Sequence, residues 1–382
     1  MFPLSIERIP DVDEALRPAI RDFIAREMPP IDAARRSRSW MGFDADFSRK
    51  LGQAGFLGLT LPRRYGGGER GYFARFVVVE ELLSAGAPIS AHWIADRQSG
   101  PQIARFGTET QRQRYLPALC RGEAFFCIGM SEPDSGSDLA SVRTRAIPDG
   151  DGYRLTGRKI WTTNAHHAHY MVALVRTSGG PDDRQAGLSQ VIIDLTLPGI
   201  TVRPLLDLAG DEHFNEVTFD DVRLGPDSLL GQEGQGWAQV NAELALERSG
   251  PERLLSSIVL LDALIAWQRS LAQPDPVAVA EIGAMHARLI VLRSMSIGLT
   301  AMVERGENPL IPSAVLKDIG THGEQALAEI VTRLVGADPT RSAPPDVLGA
   351  LAYISQMSPT FSLRGGTREI LRGMIARGLG LR

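Results

Sequence analysis

The hydrophobic period changes twice along this chain, and each change marks a different way of building a core. Over residues 1 to about 123, apolar side chains recur at three-and-four spacing in ALRPAIRDFIAREM, FARFVVVEELLSAG and PQIARFGTETQRQRYLPALCRGE. That is the spacing of one buried helix face. LPRRYGGGERG (61–71) reads as a turn between the first two helical blocks. From about Phe125 to Leu230 the segments shorten to FFCIGM, GYRLTGRKIWTTN, YMVALVRT, LSQVIIDL, GITVRPL and NEVTFDDVRL. They are rich in β-branched and aromatic residues and divided by Gly, Pro, Asp and Asn, so they read as the strands of a small sandwich or barrel. After GQEGQGW long amphipathic helices return, joined by short loops, the pattern of a bundle. The expected fold is α+β: an N-terminal helical domain (1–123), a central β domain (124–230) and a C-terminal helical bundle (231–382).

Bulk properties narrow the function. A chain of 382 residues is long enough for two or three domains with ample core. A formal charge of -4, with no basic stripe, excludes an electrostatic nucleic-acid binder. Two cysteines, Cys120 and Cys127, are too few for a disulfide framework or a cysteine-rich zinc site. The opening MFPLSIERIPDVDEAL lacks the apolar core of a signal peptide, and no uncharged run approaches the roughly 18 apolar residues of a membrane span. The expected location is cytoplasmic.

Three segments concentrate polar chemistry. Gly129-Met-Ser-Glu-Pro-Asp-Ser-Gly-Ser-Asp138 follows a strand and mixes small hydroxyls with glycine. It suits either backbone N–H groups converging on an anion or a solvated turn. Lys159-Ile-Trp-Thr-Thr-Asn-Ala165 ends a strand, and Trp161 there suits a flat stacking surface or a core or interface anchor. Ala245-Leu-Glu-Arg-Ser-Gly-Pro-Glu-Arg253 interrupts what otherwise reads as one long helix. A proline at 251 removes the hydrogen bond to the carbonyl of residue 247, which places a kink on Glu247. That glutamate suits either an ion pair on a helix surface, with Arg248 or Arg253, or a directed carboxylate. Adjacent residues do not face each other on a helix, which weakens Arg248 as the partner. His166, His167 and His169 have no acidic or cysteine ligands near them in sequence, so a loop lining is expected and no metal. His92 reads as either an acyl-pocket residue or a packed core histidine, and GQEGQG as the turn opening a helix.

Taken in order and spacing, GMSEPDSGSD, KIWTTNA, FNEVTFDDVRL, GQEGQGW and GGTREILRGMIARGLG, with LPRRYGGG, resemble the acyl-CoA dehydrogenase family over essentially the whole chain. The resemblance implies a C-terminal four-helix bundle. It also implies an FAD enzyme that removes the α and β hydrogens of an acyl-CoA thioester to give a 2,3-enoyl-CoA. By the same resemblance Trp161 packs on the flavin ring and Thr163 bonds near its N5, while Met130 and Ser131 lie at its pyrimidine side. Ser137 bonds the FAD pyrophosphate close to the substrate, and Thr367 and Glu369 contact FAD from the C-terminal segment. Electrons are expected to pass to an electron-transfer flavoprotein.

Many members carry the base immediately before the Gly-Thr of the C-terminal motif. Here that position is Gly365. A minority, including isovaleryl-CoA and long-chain acyl-CoA dehydrogenases, place it in a Leu-Glu-Arg sequence on a bundle helix, and this chain has Leu246-Glu247-Arg248 there. The resemblance therefore makes Glu247 the base. Gly365 leaves room for its carboxylate and supplies an N–H to the thioester oxygen. An apolar pocket around that carboxylate, raising its pKa toward operating pH, is expected as well. Arg248 is left as either a pantetheine-side contact or a structural donor. Two family motifs that hold a neighbouring subunit's FAD are replaced here, by Arg269-Ser-Leu-Ala-Gln-Pro-Asp-Pro276 and Leu334-Val-Gly-Ala-Asp-Pro339. The assembly expected is a homo-oligomer or a hetero-oligomer with another dehydrogenase-like subunit. Alternatives are the same chemistry on an acyl-carrier-protein thioester, oxygen as acceptor, or a flavin-poor partner subunit with a structural role.

Overall fold

The computed structural model describes residues 4–337 and 342–381. The chain forms two compact units. The first comprises residues 1–42, 71–89 and 245–382, and the second residues 43–70 and 90–244. The N-terminal helical stretch is thus shared between the units.

Packing explains the sharing. In the first unit Phe73, Phe76 and Val77 of the Tyr72–Ala85 helix form one apolar cluster with Ile297 and Ala301 of the Pro276–Glu304 helix. Glu80 adds charge pairs to Arg17 and Arg293, and Glu81 pairs with Arg17 and Arg21. The Pro276–Glu304 helix has the length and mean hydropathy of a membrane span, yet Arg293 in its middle is committed to Glu80. With the Ile258–Ser270, Leu310–Ala337 and Pro345–Phe361 helices it makes the four-helix bundle, and the chain then adds the Arg368–Gly378 helix. Gly349 and Pro359 interrupt the apolar period of the Pro345–Phe361 helix, so its sequence does not display it as plainly as the others.

In the second unit, helices Ala45–Gln53, Gly100–Phe106 and Glu109–Cys120 accompany an eight-stranded sheet. Its strands are β1 Phe126–Gly129, β2 Arg145–Asp149, β3 Gly152–Thr163, β4 Tyr170–Arg176, β5 Leu188–Asp194, β6 Ile200–Leu205, β7 Phe214–Leu224 and β8 Leu229–Leu230. The ladder runs β6-β7-β3-β2-β4-β5-β8, with β1 parallel to β4. Met171 and Val191 on one arm and Val217 and Phe219 on the other share a single apolar cluster. A flat sheet could not bring those strands together, so the two arms face each other as in a sandwich. The strands β2 and β8 were missed: β2 is mostly exposed and carries Pro148, and β8 is two residues long.

Candidate active site

Glu247 is the last residue of the Gly236–Glu247 helix. The chain then leaves helical geometry, makes one 3₁₀ turn at Pro251–Arg253, and starts a new helix only at Ile258. The single kinked helix expected from the sequence is therefore two helices with a break. Pro251 has no N–H to give the Glu247 carbonyl, and Arg253 supplies the donor instead, its Nε lying 2.9 Å from that oxygen. Its Nη2 lies 2.5 Å from Glu247 Oε1. The ion pair weighed as an alternative for Glu247 thus exists, but inside the unit, with Arg253 only 1% exposed. The apolar pocket expected around the carboxylate is not what surrounds it. Gly250 owes its place to space: a Cβ there would lie 1.9 Å from Glu252 Oε2, a buried carboxylate paired with Arg75.

The C-terminal loop closes on the same spot. Gly365 has φ +68°, and a Cβ on it would sit 3.3 Å from Glu247 Oε1 and 3.1 Å from Arg253 Nη2. Glycine adopts that backbone at little cost, and a Cβ there would press on both side chains. The Gly365 carbonyl accepts from Arg248 Nε at 2.8 Å, which is the structural-donor geometry for this buried arginine. Lys317, fully buried, donates to the carbonyls of Phe361 and Gly366 at 3.1 and 3.0 Å. Burial pushes its ammonium down to about 7, with Arg253 and Arg364 adding to the shift. The Arg364 guanidinium lies between the rings of Trp40 and Phe361, 4.5 and 4.4 Å from their centres, and burial brings it down to about 10. Thr367 caps the last helix through Ile370 N, and the first-turn Glu369 carboxyl is held low by its own N–H and the Thr367 hydroxyl.

In the second unit the two polar motifs come together. The buried Lys159 donates to the Met130 carbonyl (3.0 Å) and to Glu132 Oε1 (2.8 Å), while Ile160 N donates to the Ser131 carbonyl. Glu132 also accepts from the amides of Arg143 and Thr144. Its carboxyl stays low against burial because Lys159 sits beside it. Met130 and Ser131 are thereby fixed next to the stretch of β3 that carries Trp161. Pairing of β3 with β7 shifts register between Lys159 and Thr162. Such a bulge re-aims side chains. Trp161, at φ +60°, is turned outward and left 60% exposed, its ring meeting Phe214 edge-on. Thr163 is half-buried at the end of β3, and Ser137 is exposed beside Asp138, which pairs with Arg184. Lys159 and Glu132 were missed as a pair because 27 residues separate them in sequence.

Family models for the acyl-CoA dehydrogenase N-terminal and middle domains match residues 10–123 and 127–222. The chain belongs to the acyl-CoA dehydrogenase family. It is similar to acyl-CoA dehydrogenase IpdE1 of Mycobacterium tuberculosis, with 31% identity over 92% of this chain and 89% of the relative. Among solved structures it is similar to the Tcur3481-Tcur3483 steroid ACAD, at 27% identity and TM-score 0.84 over the full length of both chains. The ChsE4-ChsE5 complex from Mycobacterium tuberculosis also matches, at 27% identity and TM-score 0.83 over 99% of each chain. The protein is accordingly an oxidoreductase, a flavoenzyme acting on acyl thioesters.

His92, His166, His167 and His169 each have a neighbour within the second unit. His166 bonds Asn215, His167 stacks on Phe43, and His169 Nδ1 accepts from Phe125 N. Burial, and then His166, pushes His167 down. His92 is buried against Ser48. Among the described residues, Asp207, Asp211 and His213 bring ligand-type atoms together. There His213 lies 2.8 Å from Asp207, which also caps its own turn through the amides of Ala209 and Asp211. Arg269 lies in the last turn of its helix and Asp275 caps the next one; Leu334–Ala337 continue a helix, and Asp338 and Pro339 lie outside the described residues.

Proposed function

We propose that the protein dehydrogenates acyl-CoA thioesters at Cα–Cβ with Glu247 as the base and FAD as the flavin. The observation that carries the base is the glycine at 365. The family's common base position is empty of side chain, and the Glu247 carboxylate lies 3.3 Å from where a side chain would start. Glu247 takes the α-proton, and the Gly365 N–H bonds the thioester oxygen, where charge builds up as that proton leaves. Arg248 holds Gly365 in place through its carbonyl.

The residues present fit a flavin. A tryptophan held outward by a bulge at positive φ offers a flat apolar face, and strained backbone of this kind clusters at functional sites. Trp161, Thr163, Met130 and Ser131 would hold the ring and Ser137 the diphosphate near the substrate, with Thr367 and Glu369 as further FAD contacts from the C-terminal segment. A bound flavin supplies the hydride acceptor. Electron-transfer flavoprotein is the proposed partner for reoxidation.

The decisive test is Glu247→Gln. It should retain flavin yet lose anaerobic bleaching by acyl-CoA, by about 10³-fold or more for a positioned general base. Undiminished bleaching rejects the assignment. A panel of butyryl-, isovaleryl-, palmitoyl- and cholyl-CoA identifies the acyl group. The likeness to a steroid ACAD supports a bulky, ring-containing one. That likeness, with the replaced Arg-x-x-Phe-Gly and Gly-Gly-x-Gly motifs, also supports a second reading of the assembly, as one subunit of a hetero-oligomer.

A further inference from the structure

We propose that Arg253 is a positioning residue for Glu247, fixing both the end of its helix and the direction of its carboxylate. The inference rests on the reading of Glu247 as the base. One guanidinium grips the same residue twice, Nε on the main-chain carbonyl and Nη2 on the carboxylate. Two parallel contacts define an orientation that a single contact cannot, and the rigid fork of arginine is the side chain that makes them.

Arg253 is itself immobile. It is buried, its guanidinium lies 5.5 Å from the centre of the Trp40 ring, and its N–H donates to the Gly250 carbonyl. A Cβ on Gly320 would lie 2.3 Å from the Arg253 carbonyl, so the Leu310–Ala337 helix packs directly on this backbone. Trp40, stacked by both Arg253 and Arg364, links the turn that ends the base helix to the loop that carries Gly365. Errors of about 1 Å at a reacting group cost on the order of 10²-fold in rate, so a rigid clamp matters here.

The clamp also has an electrostatic side. Arg248 and Arg253 bear on Glu247 from its own turn, Lys317 from the Leu310–Ala337 helix and Arg364 from the loop, and Glu324 opposes them by pairing with Arg364. Nearby cations favour the ionised carboxylate, the form that accepts a proton.

The test uses full-length flavoprotein, with the acyl-CoA of the panel that bleaches the wild type fastest. Arg253→Met should lower kcat by about 10²-fold. Its acidic limb of kcat/KM should move about one pH unit upward, since a favourable charge has gone. Arg253→Lys keeps the charge but has a single nitrogen for two oxygens. It should leave the limb in place and lower kcat about tenfold. A purely structural role would reduce melting temperature and flavin content and leave the limb of the folded fraction unmoved. Unchanged kcat and limb in folded Arg253→Met overturn the inference. If that variant does not fold, Arg253→Lys decides: wild-type kcat per bound flavin overturns it, and a tenfold loss of kcat per bound flavin at an unchanged melting temperature supports it. Full bleaching by Glu247→Gln would instead sink the base assignment, whatever Arg253 does.

Discussion

Gly365 shows how much a single missing side chain can decide. Any β-carbon there would meet both Glu247 and Arg253, and a non-glycine residue at φ +68° costs roughly 1–2 kcal/mol in backbone strain as well. Gly365→Ala should therefore destabilise the protein by about that amount or more, read as a lower urea midpoint. The same proximity makes a stronger prediction. If residues 247 and 365 address one α-carbon, the pair Glu247→Gly with Gly365→Glu should recover part of the anaerobic bleaching that Glu247→Gly loses. No recovery in a folded, flavin-loaded double variant would show that the two positions serve different points in space.

At the scale of elements, the loop from Phe361 to Gly366 is held by buried cations in addition to the turn hydrogen bonds from Leu363 N and Arg364 N to the Thr360 carbonyl. Lys317 serves two of its carbonyls, and a neutral amine still has two N–H donors for that purpose. Its folded value of about 7 lies below the usual lysine value of about 10.4. Between those values the unfolded chain binds more protons than the native one, so this residue makes stability rise with pH across that window. Below about pH 7 both states are protonated and its penalty, on the order of 5 kcal/mol, is fully present. Lys317→Met should flatten the pH dependence of unfolding between about pH 7 and 10 relative to the wild type. Parallel stability curves for the two proteins would show that the native ammonium titrates normally. The bulge in β3 works in the opposite sense, using backbone irregularity to expose a ring that alternation would have directed elsewhere.

At the scale of the whole molecule, the candidate base belongs to one compact unit and Met130, Ser131, Ser137, Trp161 and Thr163 to the other. The boundary between units falls inside the helix that ends at Glu247. With both intersubunit FAD motifs replaced, the hetero-oligomer reading predicts poor retention of flavin by this chain expressed alone. Flavin per chain should be well below one alone and approach stoichiometry when a second dehydrogenase-like chain is co-expressed. Full loading of a homo-oligomer would reject that assembly without touching the chemistry proposed for Glu247.

Period and composition alone carried the helix–strand–helix order, because burying one face of a helix or strand forces a repeat that any sequence displays. They also marked the break at Glu247, leaving an ion pair and a directed carboxylate both open there; the likeness to the family made it the candidate base. What the chain could not display is partnership. The linear order does not say that Arg253 replaces the amide Pro251 lacks, that Lys159 and Glu132 join two motifs, or that Lys317 and Trp40 secure a loop far along the chain. These contacts depend on which buried charges meet once the core has closed. Burial makes an unpaired charge too costly to leave, so tertiary packing, and no local pattern, chose the partners.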